Sequence, residues 1–469
     1  MHRKFSGSAR IELTRREFIA RIARLGAISP LLGAATAPLA LPAQQLLPPV
    51  QPEPPYKLTL YDEDLLNDYE QAGCLYFWEQ ANPNTGLVKD RSTPSEFDDY
   101  DVASIAATGF GLTALCIADK RGYIPSRSVV SRVRATLEFL ANRMYNQHGF
   151  FYHFVNLNTG ERAFQCEVSS IDTGLLLCGV LTCREYFNDP QIRALATQIF
   201  DRVDWLWMLD RGRTLSHGWT LEHGFLPYRW NTYCELMLIY LLAIGSRTHA
   251  IPATSWDAWW RPIFNYKGLR YIGSYAPLFI HQYSHAWFDF RAKRDRYANY
   301  FDNSIVATKA HRLFCISLRS RFPDFADNMW GVTASDSIDG YTWWGGPPPI
   351  GAIDGTLVPC AAAGSLPFLP RETLLVLHTM RRRFGKKLWQ RYAFQDAFNP
   401  LKNWYNAEVV AINTGIGVLM AENLRSGLIW DTFMKNPEAQ NGMKFAGFQP
   451  EQPSSTPQPN PAPSAAALL

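Results

Sequence analysis

Residues 103–122 read ASIAATGFGLTALCIADKRG, and residues 170–187 read SIDTGLLLCGVLTCREYF. Both carry helical spacing, and the first is apolar almost all round from 101 to 118, the pattern of a helix buried on every side. Helical periodicity recurs in DEDLLNDYEQAGCLYFWEQA (62–81), SRVRATLEFLANRMY (131–145), DPQIRALATQIFDRVDWLWML (189–209) and TYCELMLIYLLAIGS (232–246). Further on come QYSHAWFDFRAK (282–293), a segment near 298–321, DGTLVPCAAAGSL (354–366), PRETLLVLHTMRRRF (370–384) and EVVAINTGIGVLMAENLRSG (408–427). Strand alternation is rare. Roughly eleven or twelve helices, several of them apolar on all sides, exclude a globin-like or four-helix bundle and fit an all-α toroid of helical hairpins in two concentric layers.

The ends of the chain are of another kind. The first 43 residues hold a basic start, the run Thr14-Arg15-Arg16-Glu17-Phe18-Ile19, and a mild Ala/Leu/Gly/Pro stretch, which together read as a twin-arginine export signal. That signal implies the export machinery as a partner and a periplasmic or secreted location. Ser29, Pro30, Gly33 and Pro38 interrupt the stretch, so no stable membrane span is expected. Residues 44–56 form a proline-rich linker, residues 57–448 one large domain, and residues 449–469 a disordered Pro/Ser/Ala tail. The formal charge of +4 belongs to the signal, because the remaining residues hold 39 basic and 40 acidic side chains. A near-neutral mature protein gives no basic surface for nucleic acid. None of the eight cysteines shows a CxxC or Cys/His metal spacing, and buried thiols are expected.

Candidate chemistry concentrates in carboxylates and in two unusual loops. With Ser170 as N-cap, Asp172 falls in the first helical turn, where the helix dipole favours an acid. Glu167 lies ahead of that cap, and no cap explains it. Glu235 fits the third position of a Thr-x-x-Glu capping box begun by Thr232, so capping and catalysis stand as alternatives there. Loops 210–231 and 335–354 combine Gly, Pro, His, acids and aromatics in the manner of a sugar cleft, where rings stack on pyranose faces and carboxylates take hydroxyls. Trp343 and Trp344 are assigned to that cleft with Asp339 and Tyr341, whereas Trp205, Trp207 and Trp430 are assigned to the core. His281, His285 and Asp289 lie four residues apart, on one face of a predicted helix that also carries Trp287. No HExxH accompanies them, so cleft-lining polar contacts are preferred to a metal, and no cofactor is expected. The chain has no GxSxG elbow, Gly-rich phosphate loop or dinucleotide fingerprint.

The runs CEVSSIDTGLLLCGVLTCREYF, YCELMLIYLLAIGS, GSYAPLFIHQYSHAWFDFR, DGTLVPCAAAGSLPF, DAFNPLKNWYNAEVVAINTGIGVLMAENLRSGLIWDTFMKNP and MKFAGF resemble, in order, the glucoamylase-like domain of bacterial secreted proteins. That family includes the β-1,2-glucanases of glycoside hydrolase family 144. The resemblance implies an (α/α)6 toroid, no metal cofactor, and two-carboxylate hydrolysis of β-1,2-glucan with inversion. Matched motif by motif, it makes Glu167 and Glu235 the catalytic pair, with Glu235 as acid and Glu167 orienting or activating water, although the reverse assignment stays open. Asp172 and the run His281 to Trp287 match as substrate contacts, and Trp404 belongs to the matched Asn-Trp segment. Where relatives carry an acidic Tyr-Asp segment after Asn-Trp, this chain has Tyr405-Asn406-Ala407-Glu408. Two rival readings remain: a non-catalytic glucan-binding or glucan-synthesis accessory protein, and a polysaccharide lyase.

Overall fold

A computed structural model describes residues 56–95 and 98–451. The export signal, nearly all of the linker and most of the tail lie outside these residues. Helices α1 (Leu60–Glu79), α2 (Ile105–Arg121), α3 (Ser126–Asn142), α4 (Ser170–Tyr186), α5 (Pro190–Asp201), α6 (Trp205–Leu209) and α7 (Met237–Gly245) form the first half. Two 3-10 turns, Leu278–His281 and Tyr283–Ala286, precede α8 (Tyr300–Ser317), α9 (Pro359–Ala363), α10 (Pro370–Phe384), α11 (Ala411–Arg425), α12 (Leu428–Phe433) and α13 (Pro437–Phe445). The chain alternates between an inner ring (α2, α4, α7, the 3-10 pair, α9, α11) and an outer layer, an (α/α)6 toroid. The ring closes where α2 packs on α11, with α1 across both.

The layers follow from patterning. α3 and α5 bury one stripe each, Val129, Val133, Leu137 and Leu140 in the first and Ile192, Leu195, Ala196 and Ile199 in the second, as outer helices should. Inner helix α4 instead buries an unbroken run from Asp172 to Arg184, and α7 is buried throughout. Burial on all sides requires near neighbours on all sides, and glycine supplies the closest approach. A Cβ on Gly109 of α2 would lie 2.3 Å from the Leu175 carbonyl oxygen of α4, and one on Gly179 would lie 2.1 Å from the Gly109 carbonyl oxygen. Both distances are far inside van der Waals contact, and the obstacle is backbone, which cannot swing aside.

Three of the inner helices, α2, α4 and α11, begin from a short strand. Val102–Ser104 pairs with Phe154–Asn156 before α2, Val168–Ser169 pairs with Gly218–Thr220 before α4, and Val409–Val410 pairs with Arg91–Ser92 before α11. Ser104 and Ser169 end their strands with extended backbone and then cap the following helix, accepting from the amides of Ala107 and Asp172. The cap of α4 is thus Ser169, one residue earlier than the sequence indicates, because its own N–H is taken by the Phe151 carbonyl at 3.0 Å. At the opposite end of the ring Arg121 pairs with Glu422, and Arg425 with Glu63 and Glu70, tying α1, α2 and α11 together. Gly385 closes α10, and all eight cysteines are buried and free. No helix among the described residues is long and apolar enough to cross a membrane.

Two expected helices are altered by tertiary bonds. Thr232 begins no helix: Tyr233 N–H donates to Trp260 O and Trp260 N–H to Asn231 O, each at 2.8 Å, and Thr232 is bridged to Trp260. α7 starts at Met237 instead, without a side-chain cap. The QYSHAWFDFRAK segment forms a 3-10 turn rather than an α-helix, with Gln282 drawn to Ala361 O and Ser365 Oγ of the next inner element. Substituting Gly179→Ala should lower unfolding free energy by about 1–3 kcal/mol in urea titration. Gly122→Ala, at the left-handed end of α2 with nothing within 4 Å of the added carbon, should cost only about 1 kcal/mol.

Candidate active site

A cavity of about 1030 Å³ opens among the segments that lead into the inner helices. Glu167, Asp172 and Glu235 all line it. Glu167 ends the stretch before the α4 strand, and its carbonyl accepts from His153 N–H at 3.0 Å. Its carboxylate Oε1 lies 3.1 Å from His153 Nδ1. The facing strand must be bare at this level: a Cβ on Gly218 would sit 2.4 Å from Val168 O and 2.9 Å from Glu167 Cγ. Asp172 occupies the first turn of α4, where Ser169 Oγ donates to its Oδ2 at 2.6 Å and accepts from its N–H at 3.2 Å. His153 Nε2 stands 3.4 Å from Asp172 Oδ1, so one buried ring spans two acids.

Glu235 comes from the opposite side, on the turn before α7. Ser284 of the second 3-10 turn positions it, donating from Oγ to Glu235 O at 2.8 Å while accepting from Leu238 N–H at 3.2 Å. With the capping box gone, the glutamate side chain serves the cavity rather than the helix end. The apolar walls come from Ile171, Leu175, Phe279, Ile412 and Trp343. His217 stacks on Trp230 with ring centroids 3.9 Å apart, and Trp230 Nε1 donates to Ser170 Oγ at 2.8 Å. Burial pushes His217 down to about 3, against the opposing pull of Glu167, so its ring enters the site neutral.

His153, Glu167 and Asp172 also offer donor atoms within 4.8 Å of one another, a spacing that suits a metal ion. In this arrangement each ring nitrogen already faces a different acid. An ion bound by all three residues would have to displace the ring from one of them.

Residues 227–437 match the family model described as "Glycoamylase: Putative glucoamylase". Across 427 residues, or 82% of this chain, the sequence is 29% identical to an exo β-1,2-glucooligosaccharide sophorohydrolase (non-reducing end) of Parabacteroides distasonis, and it spans 58% of that protein's length. The endo-β-1,2-glucanase of Chitinophaga pinensis, solved with sophorotriose and glucose, superposes with a TM-score of 0.76 at 29% identity, covering 83% of this chain and 99% of that one. A β-1,2-glucanase structure from Parabacteroides distasonis gives 0.77 at 28% identity, over 84% of this chain and 60% of that one. Residues 227–437 thus resemble the glucoamylase-like family, and the longer matches are to β-1,2-glucan hydrolases.

Around this cavity the remaining sequence candidates separate. Tyr341 and Trp343 line the cavity from the loop that follows Ser335–Ser337. Trp344, expected beside them, is buried, with Nε1 donating to Ser335 Oγ at 3.2 Å. Asp339 is exposed at the tip of the same hairpin, where the turn turns its side chain to solvent. His281, His285 and Trp287, also expected in the cleft, lie in the core: His281 Nδ1 meets Tyr233 Oη at 3.0 Å, His285 Nε2 meets Ser304 Oγ at 3.0 Å, and Trp287 Nε1 donates to Thr113 Oγ1 at 3.0 Å. Phe279 and Tyr283 are the members of that segment that reach the cavity. Asp289 is held by Arg291 at 2.9 Å, and Trp404 packs against the core beside the ladder joining Phe398–Asn399 to Trp404–Tyr405. Neither lines the cavity. Glu408, in the segment where this chain departs from its relatives, joins Asp336 on Arg91. Asp396, bonded to Asp336 N–H and Asn413, is pushed up to about 7 by burial and by Asp336.

The sequence reading missed His153 as a cavity residue, whereas His217 and Arg229 come from the loop 210–231 that it assigned to the cleft. His153 sits in the aromatic run Phe150–Val155, without an acid nearby in sequence, and only strand pairing brings Glu167 beside it.

Buried neutral histidines make acid the weak side of the fold. His281 and His285 are lowered to about 3 and His311 to about 4, each first by burial. A folded-state value below the ordinary 6.5 contributes stability above that pH, lost as pH falls toward 3 to 4. The thermal midpoint should fall between pH 6.5 and 4, and the fall should be smaller in His285→Gln.

Proposed function

We propose that the protein is an exported glycoside hydrolase that cleaves β-1,2-glucan. The observation that carries this reading is the convergence of Glu167 and Glu235, from segments with different neighbours and no capping duty, on one cavity walled by aromatic rings. Glycoside hydrolysis asks for two carboxyl groups on either side of the scissile bond, one to protonate the leaving oxygen and one to activate water or attack. Glu235 is assigned as general acid and Glu167 as the group that orients or activates water, with inversion at the anomeric carbon. Tyr341 and Trp343 stack on glucosyl faces, and Asp172 takes a sugar hydroxyl. Similarity to an exo β-1,2-glucooligosaccharide sophorohydrolase and to an endo-β-1,2-glucanase supports the linkage. The twin-arginine signal supports export to the periplasm or beyond.

Incubation with linear β-1,2-glucan should release reducing ends, and silence on that and on other β-glucans would sink the assignment. Glu235→Gln should lower kcat roughly 10²- to 10⁴-fold with an unchanged thermal midpoint; retained activity with lost stability would return the residue to a structural role. Trp343→Ala should raise KM roughly tenfold or less, the worth of one stacking contact.

A further inference from the structure

We propose that His153 is a positioning residue that couples Glu167 to Asp172 and holds the Glu167 carboxylate in its working orientation. This rests on Glu167 acting in hydrolysis. The ring is 4% exposed and lies flat against Phe154, centroids 3.9 Å apart and planes 15° from parallel, so it has little freedom to turn. Its backbone is fixed as well: Ser104 is paired with Phe154, Tyr152 is bridged to Val168, and His153 N–H bonds Glu167 O. Asp172, the other end of the span, is pinned by Ser169 on both its Oδ2 and its amide.

An imidazole has two nitrogens on opposite edges, and here each faces a separate carboxylate, at 3.1 Å for Glu167 and 3.4 Å for Asp172. The Nδ1 contact with Glu167 is a hydrogen bond, whereas the 3.4 Å contact of Nε2 with Asp172 Oδ1 is an ion-pair distance, so a proton on Nε2 couples the ring to Asp172 through charge. The state of one acid is therefore felt by the other through the ring. The other charged or titratable groups around the cavity are His217 on the strand segment facing Glu167, Arg229, Glu235 on the far wall, and Cys234, Tyr283 and Tyr341. His217 is neutral and stacked on Trp230, so His153 is the histidine in direct contact with both acids.

His153→Gln and His153→Asn separate the two halves of the contact, since the Asn amide nitrogen falls near Nδ1 and the Gln amide nitrogen near Nε2. In the full chain, His153→Gln should lower kcat on the order of a hundredfold with KM little changed, and should move the acidic limb of the kcat profile upward because the Glu167 carboxylate loses a donor. His153→Asn should recover much of that loss. Unchanged kcat and unchanged limbs in both variants, or a change in KM or thermal midpoint alone, overturn the proposal. The coupling is also read without turnover, from the imidazole ¹⁵N resonances of His153 in histidine-labelled protein. Asp172→Asn and Glu167→Gln should each move both ring nitrogens. Resonances that respond to neither substitution overturn the coupling, while an inactive wild type with responsive resonances supports it and defeats the hydrolase reading instead.

Discussion

The backbone contact between α2 and α4, with Gly109 against Leu175 and Gly179 against Gly109, is the constraint on which the rest of this structure rests. Two helices can come this close only where a glycine leaves one backbone bare at the contact, and the approach sets their relative height. Because Ser104 and Ser169 cap them at the same end, that height places the first turn of α4, with Asp172, at the mouth of the ring. The strands that feed the two helices are thereby brought together. Through the intervening hairpin, Glu167 meets His153.

The two ends of the ring are used differently. At the end away from the cavity, arginines in the last turns of α2 and α11 meet Glu422, Glu70 and Glu63, charges suited to helix C-termini. Burial and the neighbouring Glu422 push Glu70 up to about 8, and this network has a buried centre of Glu70, Glu422 and Arg425 with Glu63 and Arg121 at its rim. At the other end the helix starts present amide groups and short hydroxyl caps, and the acids there face an open cavity. Charge is satisfied internally at one end and left to face a ligand at the other.

Legibility in the sequence followed how local each feature was. The inner helices were plain from their unbroken apolar runs, and Glu167 stood out because no local motif explained it. Glu235 was ambiguous for a physical reason: Thr-x-x-Glu is a complete capping box until the backbone of Trp260 takes the segment away from the helix. The histidines of HQYSHAW (281–287) pointed the other way. Polar residues at helical spacing resemble a cleft lining, but the segment turns as 3-10 and spends His281 and His285 on Tyr233 and Ser304. His153 was invisible because its partners arrive by strand pairing from 14 and 19 residues away.

What the sequence by itself determined is the class of fold, the aromatic loops and the isolation of Glu167, since hydrophobic period, turn composition and the absence of a local explanation are properties of neighbouring residues. Only the tertiary structure decided which acids share a cavity, which aromatics face it and which histidine joins them. Those outcomes depend on backbone hydrogen bonds and close helix contacts between segments far apart in the chain, and no local pattern encodes where such segments meet.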